Sequence, residues 1–445
     1  MKKVFIIIVT SLCIGCFPEP NTTLTPTALF SGILSHVSLI GGSEDEHAQQ
    51  VMELRDGGIA IVGSTQSHDG DFRDRTSDDW DLFLLKMDQQ GNVNWQKNYG
   101  GSGDDFGYSL VETEEGGFVL LGYSNSQDGD VPPTNGFHDN WIIKVDAGGN
   151  LLWKKTFGFS GHDHAYKVIS TQDGGYFFNG FLDVTASNGA GNSGGTLRAN
   201  RHGVGEFWCH KLDAQGNVEW QRYFGGTNND RSYDAVQTKE GNFLVVGISE
   251  SSDVEVTQPK GSYDIWVVMI SPSGALIWEN SYGDSLVDGA SGVIQDSQGN
   301  FRIIGNTFSN DKQARENKGL SDAWQIVIDQ SGKLMASHHY GGSEFDTGTA
   351  IGEQEHGGVF ITGHSRSADG DFTADAGEND LFLMHILPGD IRAKALSLGG
   401  DNDDFAYDLL IHSSGSVFVV GQTYSSVIHD QQNRGKGDIL FTRWR

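Results

Sequence analysis

Gly-Gly, or Gly followed by one other residue, returns along this chain at a near-constant interval. The first glycines are Gly41, Gly100, Gly158, Gly225, Gly283, Gly341 and Gly399, spaced by 59, 58, 67, 58, 58 and 58 residues. A period this regular makes each unit one supersecondary module packed on its neighbours. It favours a single large domain over the two or three that 445 residues would otherwise hold. Glycine, at 61 residues, is about double its usual share of roughly 7%, against only 8 prolines. That balance points to tight turns between strands.

Within the second unit, residues 106–113, 118–124, 139–146 and 151–157 read as four strands. Glu114-Glu115-Gly116-Gly117 and Ala147-Gly148-Gly149-Asn150 are turns, and 125–138 is a polar loop. Four antiparallel strands repeated radially make a propeller blade. The predicted fold is therefore all-β, a seven-bladed β-propeller of four-stranded antiparallel blades over residues 30–445.

Four columns of residues support this. Seven positions after each first glycine stand Ala48, Gly107, Ala165, Ser232, Ala290, Gly348 and Ala406, small enough for innermost strands converging on an axis. Asp81, Asp139, Glu206, Asp264, Asp322, Asp380 and Asp438 open the third strand. Two residues later come Phe83, Trp141, Trp208, Trp266, Trp324, Phe382 and Leu440, expected to fill the space between blades. Trp95, Trp153, Trp220 and Trp278 mark the fourth strand of four units. The seventh unit reaches Arg445 in its third strand, and residues 33–40 precede Gly41 as a fourth strand does elsewhere. The N-terminal strand is expected to close the last blade and remove its exposed edge.

Residues 1–15 read as a signal peptide, with Lys2 and Lys3 before an apolar run over 4–14. The following Gly15-Cys16 resembles the bacterial lipobox, although Cys13 stands where leucine is usual. The resemblance implies cleavage before Cys16 and lipidation of that residue. Residues 16–29, rich in Pro and Thr, read as a lipidated tether. The implied address is the cell envelope, as a lipoprotein of the outer membrane with its propeller outside the cytoplasm. The anchor is the expected membrane contact, and two or more acyl chains hold stably where one is marginal. Losing Lys2 and Lys3 moves the formal charge from −29 to −31. That balance opposes nucleic acid and favours cations, basic proteins or neutral sugars. After processing, Cys209 is the one thiol left, expected as a buried small hydrophobe.

The signature Gly-Gly-x-x-x-Asp … Asp-Gly-Gly-Phe/Tyr-x-Val-x-Gly … Asp-Gly-Asp … Asp-x-Trp-x-x-Lys-x-Asp-x-x-Gly-Asn-x-x-Trp resembles the repeats of secreted bacterial β-propeller proteins. Those proteins are often surface lipoproteins or carry a C-terminal sorting domain. The resemblance covers residues 33–445 and implies a fold without a shared chemistry. The chain stops inside a blade, so anchoring through Cys16 is expected to stand in for a sorting domain.

In such a ring, the loops from fourth to first strand and from second to third strand share one face, here called the working face. Glu46, Asp105, Asp163, Asp230, Asp288, Asp346 and Asp404 lie five residues after the first glycines. They either cap their own turns or present a cation or basic ligand with a carboxylate ring, with Asp105, Asp163 and Asp230 the ligand candidates. Asp69 with Asp71, Asp128 with Asp130, and Asp369 with Asp371 flank glycines in three loops and are the calcium candidates, since calcium wants several hard oxygens. Unit three is the most irregular. It gains nine residues in the loop 184–205, which contains Arg198, Arg201 and His202, and has His162-Asp163-His164 nearby. Two histidines two apart in extended chain point the same way and suit a shared metal or a ligand. Phe72, Phe137 and Phe372 are the aromatic candidates for glycan stacking.

No His-Glu-x-x-His pattern and no nucleophile elbow is read here, and the carboxylates recur in every unit. The leading expectation is thus a monomeric, non-catalytic binding or scaffolding propeller for a glycan, a peptide or an envelope protein. The alternative is a polysaccharide hydrolase or lyase using working-face carboxylates.

Overall fold

The computed structural model describes residues 30–445, except 74, 76, 77, 194–200, 315, 356 and 373–376. Cys16, the signal segment, the tether and Arg198 lie outside the described residues. Seven four-stranded antiparallel sheets form the ring. Blade 1 starts with Glu46–Glu53, blade 2 with Asp105–Glu112, blade 3 with His164–Ser170, blade 4 with Asp230–Gln237, blade 5 with Asp288–Gln295, blade 6 with Asp346–Glu353 and blade 7 with Asp404–Ile411. In blades 1 to 6 the four strands follow in sequence order from the inside out. Blade 7 takes its outermost strand from the N-terminus. Leu34–Ile40 pairs antiparallel with Asp438–Trp444, Leu39 opposite Leu440. Phe30 then extends the closure to blade 6, edge-on to Phe360 at 4.7 Å.

Hydrophobic clusters lie between blades. One joins Ala60, Val62, Leu82 and Leu84 of blade 1 to Leu110, Phe118, Leu120 and Trp141 of blade 2. Equivalent clusters occupy the other six joints. Phe83, Trp141, Trp266, Trp324 and Phe382 of the third strands are buried in them, Trp208 is buried in a separate cluster with Leu182, Val184 and Tyr223, and Phe207 meets Trp266 edge-on at 4.6 Å. Cys209 is buried in the cluster joining blades 3 and 4.

The small column has a different cause from the one expected. Each of its members faces a second-strand glycine, as Ala48 faces Gly63 and Gly348 faces Gly363. A Cβ on Gly107 would lie 2.6 Å from the Gly63 carbonyl oxygen and 2.6 Å from Leu82 Cγ, both of blade 1. Bulk is therefore excluded by the neighbouring blade, not by crowding at the axis. The tryptophans of the fourth strand cover the next blade's outer turn. Trp95 lies against Gly149, Trp153 against Gly216, Trp220 against Gly274 and Trp278 against Gly332. All four glycines have φ between 76° and 82°, a conformation that side chains resist.

Candidate binding face and central channel

Each blade is stitched to the next at the same backbone position. The N–H of Glu46 donates to the Gly437 carbonyl, Asp105 to Trp80, Asp163 to His138, Asp230 to Gly205, Asp288 to Tyr263, Asp346 to Ser321 and Asp404 to Asn379, all within 2.7–2.9 Å. The main chain is constant at these stitches while the side chains beside them differ from blade to blade.

The carboxylates of the expected ring are the fixed part of the stitch. Glu46, Asp105, Asp163, Asp230, Asp288, Asp346 and Asp404 are all fully buried. Asp105 accepts from the Gly101 N–H at 2.7 Å and from Ser126 Oγ at 2.8 Å. Asp163 accepts from the Phe159 and Asp183 N–H groups. Asp230 accepts from the Gly226 N–H and from Ser251 Oγ. Asp105, Asp163 and Asp230 thus hold turns and do not reach a surface ligand, a correction to their expected role. Burial raises the carboxyls of Glu46, Asp105 and Asp163 to about 7.

In the Asp-Gly-Asp loops, Asp69, Asp128 and Asp369 accept from the N–H groups of Ser43, Ser102 and Ser343 at 2.7–2.8 Å. Asp71 and Asp371 accept from the N–H groups of Gly41 and Gly341 and pair with Arg434 and Lys318. Asp130 is half-buried in its loop. Among the described residues these six carboxylates do not gather into a group of three ligands.

Phe72 and Phe372 are buried against Phe83 and Phe382, which removes them as glycan platforms. Phe137 is 65% exposed, the one of the three at the surface. Arg201 is exposed at the end of the insertion. His202 is buried, Nδ1 3.2 Å from Glu206 Oε2 and Nε2 3.8 Å from Glu255 Oε2, and so is not a surface ligand. As far as Ser193 the insertion runs along the outer edge of blade 3. The Trp208 indole donates to the Gly191 carbonyl, and Ser193 exchanges hydrogen bonds with the Gln221 backbone. Gly191-Asn192-Ser193-Gly194-Gly195 spells the nucleophile-elbow pattern that sequence reading passed over. Ser193 lies on this outer edge and not on the strand-to-helix turn that such a nucleophile needs.

His162 and His164 do come together, and His138 joins them through the stitch between blades 2 and 3. His138 Nδ1 lies 2.9 Å from His162 Nδ1 and 3.3 Å from His164 Nε2. Toward blades 4 to 6 the same face becomes apolar. Leu286, Val287, Leu320 and Phe345 are 52%, 38%, 51% and 39% exposed.

The axis is an open channel of about 550 Å³. All seven innermost strands bulge at one position. A bulge re-aims a side chain, and here it lines the channel with Gln49, Tyr108, Tyr166, Tyr233, Ser291, Thr349 and Tyr407. The next residue often ties blades. Gln50 Oε1 accepts from the Leu110 N–H, Ser109 Oγ from Val168, Asp234 from Val293 and Asp408 from Val51. Lys167 lacks an acceptor and pairs instead with Asp234 at 3.1 Å. Burial pushes the Asp408 carboxyl up to about 6, against the opposing pull of Lys167.

Blade count, strand order and ring closure define a seven-bladed β-propeller. No family model matches the sequence, and no curated protein matches it. The chain is similar in structure to the Pan2 WD40 domain of Neurospora crassa, with 8% identity, 89% of each chain covered and a TM-score of 0.49. It is similar also to BamB from Moraxella catarrhalis, with 12% identity, 93% and 100% covered and a TM-score of 0.45. For the K499G mutant of NanB sialidase from Streptococcus pneumoniae the identity is 9%, the coverage 93% and 70%, and the TM-score 0.45.

Proposed function

We propose that this protein is a cell-envelope lipoprotein, anchored through Cys16, whose propeller acts as a non-catalytic binding or scaffolding module. Its partner is a peptide or an envelope protein, received on the working face. One observation carries the reading. The repeated carboxylates are buried in turns, while the variable positions beside the stitches expose Leu286, Val287, Leu320 and Phe345 on one side of the ring. Exposed apolar side chains gathered on one face mark an interaction surface. The polysaccharide-cleaving alternative gains little. Asp234 and Asp408, the carboxylates of the channel, are engaged as ties between blades.

The test is capture from an envelope extract and on a glycan array, comparing the native protein with a Leu320→Lys, Phe345→Ser variant. Retained folding with lost protein capture supports the reading. Unchanged protein capture, or binding to glycans alone, overturns it. Anchoring is tested separately: Cys16→Ser should abolish incorporation of labelled fatty acid and release the protein from membranes.

A further inference from the structure

Three histidines from two blades meet at the joint between blades 2 and 3. The stitch that runs from the Asp163 N–H to the His138 carbonyl sets His138 and His162 side by side in a parallel bridge. His164, two residues on, opens the innermost strand and turns its ring to the same point. One ring nitrogen from each of the three lies within 4.8 Å of the others. At this stitch the other blades carry different pairs, among them Trp80 with Asp104, Tyr263 with Val287 and Asn379 with Asp403.

The spacing fits an ion better than it fits hydrogen bonds. His138 Nδ1 faces two ring nitrogens, His162 Nδ1 at 2.9 Å and His164 Nε2 at 3.3 Å. A neutral imidazole nitrogen offers one proton or one lone pair, so it can satisfy only one of them. A cation at the centre would use all three lone pairs together. A tetrahedral zinc ion with Zn–N of about 2.0–2.1 Å needs nitrogens about 3.3–3.4 Å apart. The separation of 3.3 Å lies at that edge, and that of 2.9 Å falls somewhat short of it.

The surroundings hold the rings in place. Tyr123 stacks on His164 at 3.8 Å and 11°, and Phe137 on His162 at 4.9 Å and 12°. With His164 Nε2 given to a metal, its Nδ1–H faces Tyr166 Oη at 3.4 Å. A polar partner on the second ring nitrogen is the usual support of a metal-bound histidine. Asp104 lies near enough to act on His138, while Arg231 opposes it from the side of His164.

We propose that His138, His162 and His164 form a binding site for one divalent transition-metal ion of the Zn²⁺ type, with a fourth position open to solvent beside exposed His162. Imidazole ligands suit such ions. The site stands apart from the apolar surface over blades 4 to 6 and does not depend on it.

The test is titration of the metal-stripped protein with Zn²⁺ against a chromophoric chelator, and with Co²⁺ followed by its visible absorption. One ion per chain is expected, with the intense bands of four-coordinate Co²⁺. His162→Ala should weaken binding by at least about 100-fold. His162 is exposed, so the metal-free melting of that variant should match the native protein. His36→Ala, at an exposed histidine elsewhere, should bind as the native protein does. No Zn²⁺ bound in the micromolar range, or equal binding by His162→Ala, overturns the proposal.

Discussion

Asp322 and Asp346 converge on Gly341. A Cβ on that glycine would lie 2.3 Å from Asp322 Oδ1 and 2.8 Å from Asp346 Oδ2. Both carboxyls are buried, and Asp322 Oδ1 has no hydrogen-bond donor. Burial raises Asp322 to about 6, and Asp346 adds to the rise. Asn at 322 would remove the repulsion and offer an N–H to Asp346. Asp322→Asn should raise the melting temperature at pH 8 and change it little at pH 5. Scanning calorimetry at the two pH values checks this, and destabilisation at pH 8 would contradict it.

The same arrangement recurs around the ring, so acidity should favour the fold. Burial raises Glu46, Asp105 and Asp163 to about 7, and Asp81, Asp139 and Asp264 to about 6. A carboxyl raised in the folded state contributes stability that is present below its unfolded value and lost as pH rises through its folded value. Buried His47, His210 and His364 are lowered by burial and act the other way as pH falls below their ordinary value, but the raised acids are more numerous. The urea midpoint should therefore fall between pH 5 and pH 8.

Closure by the N-terminal strand should be indispensable. Val37 and Leu39 are buried in the cluster between blades 6 and 7. Leu39→Ala should cost about 2–4 kcal/mol in chemical unfolding. Deleting residues 30–40 should leave Asp438–Trp444 as an open edge and give aggregated protein. A soluble deletion variant with native melting would refute closure.

The outer turns allow a paired comparison. Gly332 and Gly389 have φ of 82° and 83°. A Cβ on Gly332 would lie 2.3 Å from Asn280 Nδ2 and 3.0 Å from Trp278, whereas Gly389 has nothing within 4 Å. Gly389→Ala should cost about 1–2 kcal/mol from the backbone alone. Gly332→Ala should cost about 1–3 kcal/mol more through crowding. Equal losses in urea titrations would show that Trp278 does not press on the turn.

Much of the ring was legible because its constraints repeat. In blade 2 the second and fourth strands, Phe118–Ser124 and Leu151–Phe157, match the reading; the third ends one residue earlier, at Val145, and the first is shifted by one residue, to Asp105–Glu112. The acidic columns were visible, but their burial was hidden behind their charge. Seven acidic choices at Asp105 and its equivalents, six Asp and Glu46, carried the signal, since a charge demanded in every unit serves the unit. The channel was not legible. A bulge at Tyr108 leaves the period unchanged, so nothing in the spacing reveals that this side chain turns inward. His138 was missed because it lies 24 residues before His162, and only a contact between blades joins them.

Ring closure also sets a direction. Leu34–Ile40 runs toward Gly41 and the working face, so its beginning, with Phe30 packed on Phe360, lies at the rim of the opposite, hairpin side. Under the anchoring proposed through Cys16, a tether leaving from there would hold the hairpin side toward the membrane. The histidine trio, the channel mouth and the apolar patch would then look away from it, toward arriving molecules.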